Sequence, residues 1–272
     1  MTTTNIPSPA GNHSATAGSQ LVSAANLLAT EGSLLASAAS PLPTEGSLFS
    51  LIVAGGLGTR MGANIPKQFL LLAGKPVLMH SIEAFRLAIP SIKILVVLPE
   101  GQEEIWAELC DKHHFCEPHD LVTGGNTRYQ SVKNGLAQWN EKGWVAIHDG
   151  VRPLISSETI SRLFAEAAVH SNAIPVIAPK DSMRWCDEHG SKVINRNFVK
   201  LIQTPQVFEL NKLKASYVQE YEDGFTDDAT VWEKAGNQIH LAEGQESNIK
   251  ITRPEDLVIA EALLTKSLNR IF

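Results

Sequence analysis

A glycine-rich stretch followed by two cations is the part of the sequence best suited to chemistry on phosphate groups. It contains Gly55, Gly56 and Gly58, and it continues to Arg60 and Lys67. Glycine lets the backbone approach a ligand closely, so that amide N–H groups can point at phosphate oxygens. The two cations can neutralise the charge of a triphosphate while a bond to phosphorus is exchanged. The stretch therefore predicts a nucleoside triphosphate site.

Two better-known kinds of glycine loop do not match this stretch. No Gly-Lys-Ser/Thr follows the glycines, as a P-loop requires, and Met61 stands where the third glycine of a dinucleotide-binding loop would lie. An ordinary turn after a strand remains as the alternative, and three glycines alone would favour it. The spacing of Arg60 and Lys67 favours a phosphate site instead.

The elements that must position this stretch alternate along the chain. An apolar run over 49–54 predicts a buried strand directly before the glycines, and apolar residues at helical spacing over 78–89 predict a helix. Further strands are predicted where short apolar runs recur, at 92–98, 121–123, 144–148 and 172–178. This alternation predicts an α/β fold, a Rossmann-like and mostly parallel sheet with helices on both faces. Ligands bind at the carboxyl ends of strands in such sheets, where the glycines lie.

Composition excludes several classes of protein. The chain has 272 residues, of which 43% are hydrophobic, which is enough for one domain with a substantial core. Its formal net charge of −6 argues against a nucleic-acid partner. Its apolar runs fall short of the roughly 20 residues that span a bilayer, so no membrane partner is expected.

The three cysteines have no regular spacing, which predicts reduced thiols and a cytoplasmic location. Cys110 and Cys116 have histidines nearby, but their spacing is not that of a zinc site. Residues 1–48 are rich in small residues and contain no Lys or Arg. They predict a low-complexity, disordered extension, and 49–272 is expected to form the domain.

Two segments of the glycine-rich stretch carry a family resemblance. Ala-Gly-Gly-x-Gly-x-Arg-Met begins at Ala54, and Pro-Lys-Gln-Phe ends at Phe69. Together they resemble the signature of sugar-phosphate nucleotidyltransferases, which have a GT-A-like fold, and most closely that of the 2-C-methyl-D-erythritol 4-phosphate cytidylyltransferase family. The resemblance extends to about Leu268.

This resemblance implies cytidylyl transfer from CTP to a sugar-alcohol phosphate, 2-C-methyl-D-erythritol 4-phosphate, with release of pyrophosphate, in non-mevalonate isoprenoid synthesis. It also implies Mg²⁺ or another divalent cation as cofactor. Transfer to ribitol 5-phosphate or another polyol phosphate is an alternative, and so is a CTP-binding module without chemistry. An NAD-dependent oxidoreductase is disfavoured, because the ribose-binding carboxylate expected about 20 residues past the loop is missing from 76–80.

Residues elsewhere in the chain complete the predicted site. The cations expected to act in catalysis are Arg60, Lys67 and Lys250. The residues expected at the nucleotide are Ala54, Gly55, Gly56, Gly58, Gly125, Asn126, Arg128 and Ser131. The residues expected at the acceptor are Asp149, Arg152, Ser182, Arg196, Thr204, Thr226 and Thr252. Asn126 stands where some relatives carry Asp.

Asp149 follows a predicted strand and begins the sequence Asp-Gly-Val-Arg-Pro, which matches a family motif. A carboxylate at a strand end can bind magnesium beside phosphates, so Asp149 is the predicted metal ligand. A contact with the sugar alcohol and a plain turn residue are its alternatives.

The segment at about 180–203 is expected to form an arm. Two short runs around the turn at 187–190 predict a β-hairpin. The resemblance implies that this arm reaches across a homodimer to the neighbour's acceptor site, and a plain surface hairpin is the alternative. Thr204–Phe208 is expected to be a loop, Thr226 to cap a helix, and Thr252 with Glu255 to form a capping box before the last helix.

Overall fold

The computed structural model describes residues 42–56 and 66–268. Gly58, Arg60 and nearly all of the predicted extension lie outside the described residues. Side chains of Leu42 and Leu48 pack against the core. The packed chain therefore begins before the predicted boundary at residue 49.

Strands and helices alternate through the first part of the chain. In chain order they are β1 (Ser47–Val53), β2 (Leu71–Leu72), β3 (Lys75–Pro76), α1 (Val77–Ala88), β4 (Lys93–Leu98), α2 (Glu103–Lys112), β5 (Asp120–Thr123), α3 (Arg128–Leu136), β6 (Gly143–Asp149), α4 (Ser157–His170) and β7 (Asn172–Ile177). The strands predicted here are confirmed with boundaries that shift by one or two residues.

Shorter elements fill the second part of the chain. In chain order they are β8 (Met183–Asp187), β9 (Gly190–Ile194), β10 (Leu201–Ile202), β11 (Gln206–Glu209), α5 (Leu210–Ser216), α6 (Asp228–Lys234), β12 (Leu241–Glu243) and α7 (Pro254–Leu268). β8 and β9 form the predicted hairpin, in which Met183 pairs with Ile194 and Asp187 with Gly190.

The main sheet has the order β10-β7-β11-β6-β1-β4-β5, and β12 pairs with β7. β1 is parallel to β4 and β6, β4 is parallel to β5, and β12 is parallel to β7. β11 is antiparallel to both β6 and β7, and β10 is antiparallel to β7. All strands of this sheet except β10 and β11 therefore point the same way, which confirms the predicted, mostly parallel sheet.

Both faces of the sheet are covered by helices, because alternate residues of each strand point to opposite faces. On β1, Ile52 joins the cluster packed under α1 and α4, which includes Phe85 and Phe164. Phe49 and Leu51 join the cluster packed under α3, α5 and α6. Burial of each large side chain stabilises the fold by about 1.5–3 kcal/mol.

A third, smaller cluster fixes the end of the chain beside the carboxyl edge of the sheet. Val151, Ile251 and Ala260 are buried together in it. The Ile251 amide donates to the Val151 carbonyl over 2.9 Å. This contact places the segment before α7 next to the end of β6.

Three local expectations are wrong. Gln206–Glu209 is a strand rather than a loop, because buried Val207 and Phe208 pack on opposite faces of the sheet. The N-cap of α6 is Asp227, whose carboxylate accepts from the Thr230 amide. Thr226 is exposed beside it.

The predicted capping box has a different partner. The carboxylate of Asp256, rather than that of Glu255, accepts from the Thr252 amide and hydroxyl at 2.7 and 2.9 Å. It also accepts from the Arg253 amide at 2.8 Å. Pro254 begins the helix as predicted.

Across the described part of the chain, every helix is too short or too polar to cross a membrane.

Candidate active site

A cavity of about 720 Å³ opens at the carboxyl ends of β1, β4 and β6. The predicted site residues that line it are Ala54, Gly55, Gly56, Lys67, Gly125, Asn126, Arg128, Ser131, Asp149 and Lys250. Other residues in its wall are Val53, Gln68, Pro99, Glu100, Gly124, Thr127 and Val151. Residues far apart in the sequence thus meet at one edge of the sheet.

Ser131 is the point where two glycine segments meet. Its hydroxyl accepts from the Gly125 amide over 3.1 Å and donates to the Thr127 carbonyl over 2.9 Å. A Cβ on Gly124 would lie 2.9 Å from Ser131 Oγ, and one on Gly55 would lie 3.3 Å from it. A larger residue at Gly124 would therefore overlap Ser131, and one at Gly55 would crowd the same hydroxyl group.

The turn that carries Lys67 is fastened to the end of β1. Lys67–Phe69 forms one 3₁₀ turn after Pro66. The buried side-chain amide of Gln68 donates from Nε2 to the Ala54 carbonyl over 2.8 Å. Lys67 therefore extends into the cavity from a turn whose position relative to the glycine segment is fixed. The sequence prediction missed Gln68, although a polar residue between a cation and a buried aromatic residue was the available signal.

Asp149 lies at the centre of a group of three cations. Its Oδ2 is 2.9 Å from Lys250 Nζ and 3.4 Å from Arg152 Nε. Its Oδ1 is 3.7 Å from Arg128 Nε. Burial would raise the pKa of Asp149, but Arg128, Lys250 and Arg152 outweigh it and hold that pKa well below its ordinary value. Asp149 is consequently ionised and holds Lys250 and Arg152 in place, with Arg128 at a longer distance.

A second set of hydrogen bonds fixes the backbone around Asp149. The Asp149 amide donates to Thr204 Oγ1 over 3.0 Å, and the same oxygen lies 3.2 Å from Nδ1 of His148. The Arg152 carbonyl can only accept, so Nε2 of His148 carries a proton and donates to it over 3.1 Å. Burial lowers the pKa of His148 and keeps the ring neutral, so Nδ1 has no proton and accepts from the Thr204 hydroxyl.

His148 is a positioning residue that the sequence prediction missed. It is fully buried, and its two ring nitrogens join Thr204 to the turn that carries Arg152. A histidine inside an otherwise apolar strand was the signal for a buried polar group with specific partners. Thr204, predicted to contact the acceptor, has its hydroxyl engaged within the protein.

The other predicted acceptor residues lie outside the cavity wall. They are Arg152, Ser182, Arg196, Thr204, Thr226 and Thr252. Ser182 and Arg196 are exposed on the arm. The Arg196 guanidinium donates to the Lys180 carbonyl.

The side chains present fit an anion better than a free metal ion. Asp149 already faces three cations, and Lys250 and Arg152 share one of its oxygens. Within 42–56 and 66–268, His, Cys, Asp and Glu side chains do not converge in groups of three or more, as they would around a metal held by protein side chains alone. The predicted role of Asp149 as a metal ligand does not fit this arrangement, whereas a polyphosphate fits it well.

A mostly parallel sheet covered by helices on both faces, with a glycine segment and cations at its carboxyl edge, is typical of a nucleotidyltransferase site. The profile of the family described as "IspD: 2-C-methyl-D-erythritol 4-phosphate cytidylyltransferase" matches residues 48–266. The chain belongs to this family, and it is accordingly a cytidylyltransferase.

Relatives and solved structures agree with that assignment. An enzyme of this name from Bacteroides fragilis is 52% identical over 215 residues, which is 79% of this chain and 98% of the relative. One from Porphyromonas gingivalis is 45% identical over 218 residues, 80% of this chain and 97% of the relative. The crystal structure of 4-diphosphocytidyl-2C-methyl-D-erythritol synthase from Anaerococcus prevotii superposes with a TM-score of 0.69 at 28% identity, covering 80% of this chain and 96% of that one. The Thermus thermophilus cytidylyltransferase gives a TM-score of 0.62 at 28% identity, over 79% and 98% of the two chains.

Proposed function

We propose that this chain transfers the cytidylyl group of CTP to 2-C-methyl-D-erythritol 4-phosphate. The products are 4-diphosphocytidyl-2-C-methyl-D-erythritol and pyrophosphate, and the step belongs to non-mevalonate isoprenoid synthesis. The observation that carries the proposal is the cavity itself. Its wall brings together a glycine segment, Lys67, Arg128 and a carboxylate that is paired with Lys250.

The chemistry is a single displacement at the α-phosphorus of CTP. An oxygen of the acceptor phosphate forms a bond to that phosphorus while the bond to the β-phosphate oxygen breaks. The electron pair leaves with pyrophosphate. Because the attacking phosphate is already an anion, no side chain has to remove a proton from it.

The residues contribute by positioning and by charge. Lys67 neutralises the triphosphate as negative charge shifts towards pyrophosphate, and Arg60 is proposed to assist it. Lys250, which is paired with Asp149, aligns the acceptor phosphate, and Arg152 helps to hold the same carboxylate in place. The remaining oxygen of Asp149 can accept a hydrogen bond from a hydroxyl group of the sugar alcohol.

The nucleotide is proposed to bind where the two glycine segments meet. Because Gly55 and Gly125 have no side chains, the backbone beside Ser131 can approach the cytosine ring of CTP closely. Backbone amides and carbonyls there can recognise the edge of a small pyrimidine. Asn126 adds a side-chain amide to the same wall.

We propose that a divalent cation, Mg²⁺ by the sequence prediction, accompanies the triphosphate. Because Asp149 Oδ2 is paired with Lys250 and Arg152, the ion is proposed to take most of its oxygen ligands from the phosphates and from water, several of which Mg²⁺ usually keeps. Its contribution is to neutralise phosphate charge. Chelation with EDTA should abolish turnover, and added Mg²⁺ should restore it.

We also propose a homodimer formed through the arm. Five large apolar side chains in and after the hairpin are exposed: Trp185 by 55%, Val193 by 74%, Phe198 by 86%, Leu201 by 43% and Ile202 by 44%. Such a surface in a soluble domain is typical of a protein interface. In the dimer, Arg196 would reach the acceptor site of the neighbour.

Three free cysteines fit a reducing, cytoplasmic setting.

The proposal is tested by measuring pyrophosphate release with CTP and each acceptor in turn. We expect rapid release with 2-C-methyl-D-erythritol 4-phosphate and little with ribitol 5-phosphate or without an acceptor. Lys67→Ala should slow the reaction by about 10²–10³-fold, the effect of losing one transition-state contact. CTP binding without release under any of these conditions would instead identify a non-catalytic module.

A further inference from the structure

Arg128, which lines the cavity, is hydrogen-bonded to Asp228, a carboxylate that lies outside the cavity wall. Its Nη2 donates to Asp228 Oδ2 over 2.6 Å, whereas its Nε lies 3.7 Å from Asp149 Oδ1. The side chain of Asp228 is fully buried, and that of Arg128 is 26% exposed. The guanidinium thus spans two carboxylates and presents the rest of its surface to the cavity.

The second oxygen of Asp228 has a partner of its own. The buried hydroxyl of Tyr217 donates to Asp228 Oδ1 over 2.6 Å. Burial, and next the negative charge of Asp228, raise the pKa of Tyr217 well above its ordinary value. Tyr217 therefore stays protonated and continues to donate. Both oxygens of this buried carboxylate are satisfied, one by a neutral donor and one by a cation.

The backbone around Asp228 is fixed as well. Asp228 is the first residue of α6, and the buried side chain of Gln206 bonds to both of its neighbours. Gln206 Nε2 donates to Asp227 Oδ2, and Gln206 Oε1 accepts from the Ala229 amide, each over 2.9 Å. The start of α6 is thereby fastened to β11, so Asp228 has a defined position relative to the sheet.

We infer that Tyr217 and Asp228 are positioning residues for nucleotidyl transfer, acting through Arg128. Without the charge of Asp228, the nearest counter-ion of Arg128 is Asp149, which also holds Lys250 at 2.9 Å. A guanidinium that closed on Asp149 would withdraw from the nucleotide and compete with Lys250 at the acceptor. Asp228 prevents this by holding Arg128 away, and the Tyr217 hydroxyl fixes the orientation of Asp228. The inference rests on the proposed role of Arg128 at the nucleotide.

Two stacked tyrosines provide a matched test. The rings of Tyr129 and Tyr217 are 4.7 Å apart. The Tyr129 hydroxyl donates to the carbonyls of Tyr217 and Gln219 at 3.0 and 2.6 Å. Tyr129→Phe and Tyr217→Phe therefore each remove one hydroxyl from the same aromatic cluster, but only the Tyr217 hydroxyl reaches Asp228. Both variants keep the packing of the rings.

The experiment measures kcat/KM for CTP and the melting temperature of each variant. Tyr217→Phe should lower kcat/KM by about tenfold, the effect of one hydrogen bond to a charged group, and Asp228→Asn should lower it further. Tyr129→Phe should lower the melting temperature by about as much as Tyr217→Phe does. It should keep kcat/KM within about twofold, because the Tyr129 hydroxyl donates to backbone carbonyls rather than to Asp228.

A double-mutant cycle with Arg128→Gln separates positioning from general destabilisation. In the Arg128→Gln background, Tyr217→Phe should have almost no further effect on kcat/KM, because there is no guanidinium left to position. If the effects of the two changes multiply, or if Tyr129→Phe lowers kcat/KM as much as Tyr217→Phe, the inference is wrong. Both of these outcomes can be measured even if Asp228→Asn does not fold. Full activity of Arg128→Gln alone would instead overturn the proposed role of Arg128.

Discussion

The residues that hold the active site in shape differ from those that face its ligands, and His148 shows this most directly. It is fully buried in β6, directly before Asp149. Burial lowers the pKa of His148 to about 4, although the charge of Asp149 opposes the shift. The neutral ring is needed because its Nδ1 must accept the proton of Thr204 while Nε2–H donates to Arg152.

This pKa predicts that the folded protein loses stability as the pH is lowered. Between pH 6.5 and pH 4 the unfolded chain binds a proton at His148 that the folded chain excludes, so acidification favours unfolding. The contribution is fully present above pH 6.5, and it is reduced by roughly 2–3 kcal/mol at pH 4.5. Urea unfolding at pH 7 and pH 4.5 measures it.

The control for this measurement is His148→Gln, which keeps a polar side chain without a titrating ring. Its free energy of unfolding should depend less on pH than that of the natural protein over the same interval. An identical pH dependence in the two proteins would show that His148 is not the titrating group.

At the residue scale, the sequence was most informative where chemistry depends on local spacing. The glycines and Lys67 lie on one short stretch, and Asp149 follows directly from its strand. The residues that were missed depend on contacts distant in sequence: Thr204 meets His148 over 56 residues, and Asp228 meets Arg128 over 100 residues. A single sequence gives no sign of which distant partner a buried polar group will find.

At the scale of elements, periodicity predicted α1 and the longer strands, while helix α4 and the short elements were not predicted. β10, β11 and β12 have two, four and three residues, too few to show an alternating pattern. The cap of α6 was misplaced for another reason, since Thr and Asp both cap helices well. Asp227 is the cap in the structure, and its second carboxylate oxygen also accepts from the buried side chain of Gln206.

This correction gives a paired prediction. Asp227→Ala should destabilise the protein by about 2–3 kcal/mol, because it removes a helix cap and leaves the Gln206 amide without its partner. Thr226→Ala should change the free energy of unfolding by less than about 0.5 kcal/mol, because Thr226 is exposed. Denaturant unfolding of both variants measures the difference. Equal losses would restore Thr226 as the cap.

At the scale of the whole molecule, the proposed dimer predicts that damaged subunits can complement each other. Each active site would combine Lys250 of one subunit with Arg196 of the other, so Lys250→Ala and Arg196→Ala should each be nearly inactive. After mixing and subunit exchange, half of the dimers are mixed, and each of these has one intact site. About a quarter of the natural activity should return.

Exchange must be demonstrated separately, for example by co-purification through a tag on one variant. Demonstrated mixed dimers without recovery of activity would show that the arm serves its own subunit. The sequence predicted the hairpin correctly from its turn. In the proposed dimer, what the hairpin contacts depends on a second chain, which composition and periodicity do not describe.

The central claim is that the cavity catalyses one direct displacement at the α-phosphorus of CTP. The most direct measurement uses CTP in which sulfur replaces one non-bridging α-phosphate oxygen in a single configuration. One in-line displacement inverts the configuration at phosphorus, so the cytidylylated product should show complete inversion. Retention of configuration would require two successive displacements through a covalent enzyme intermediate, and it would contradict the account.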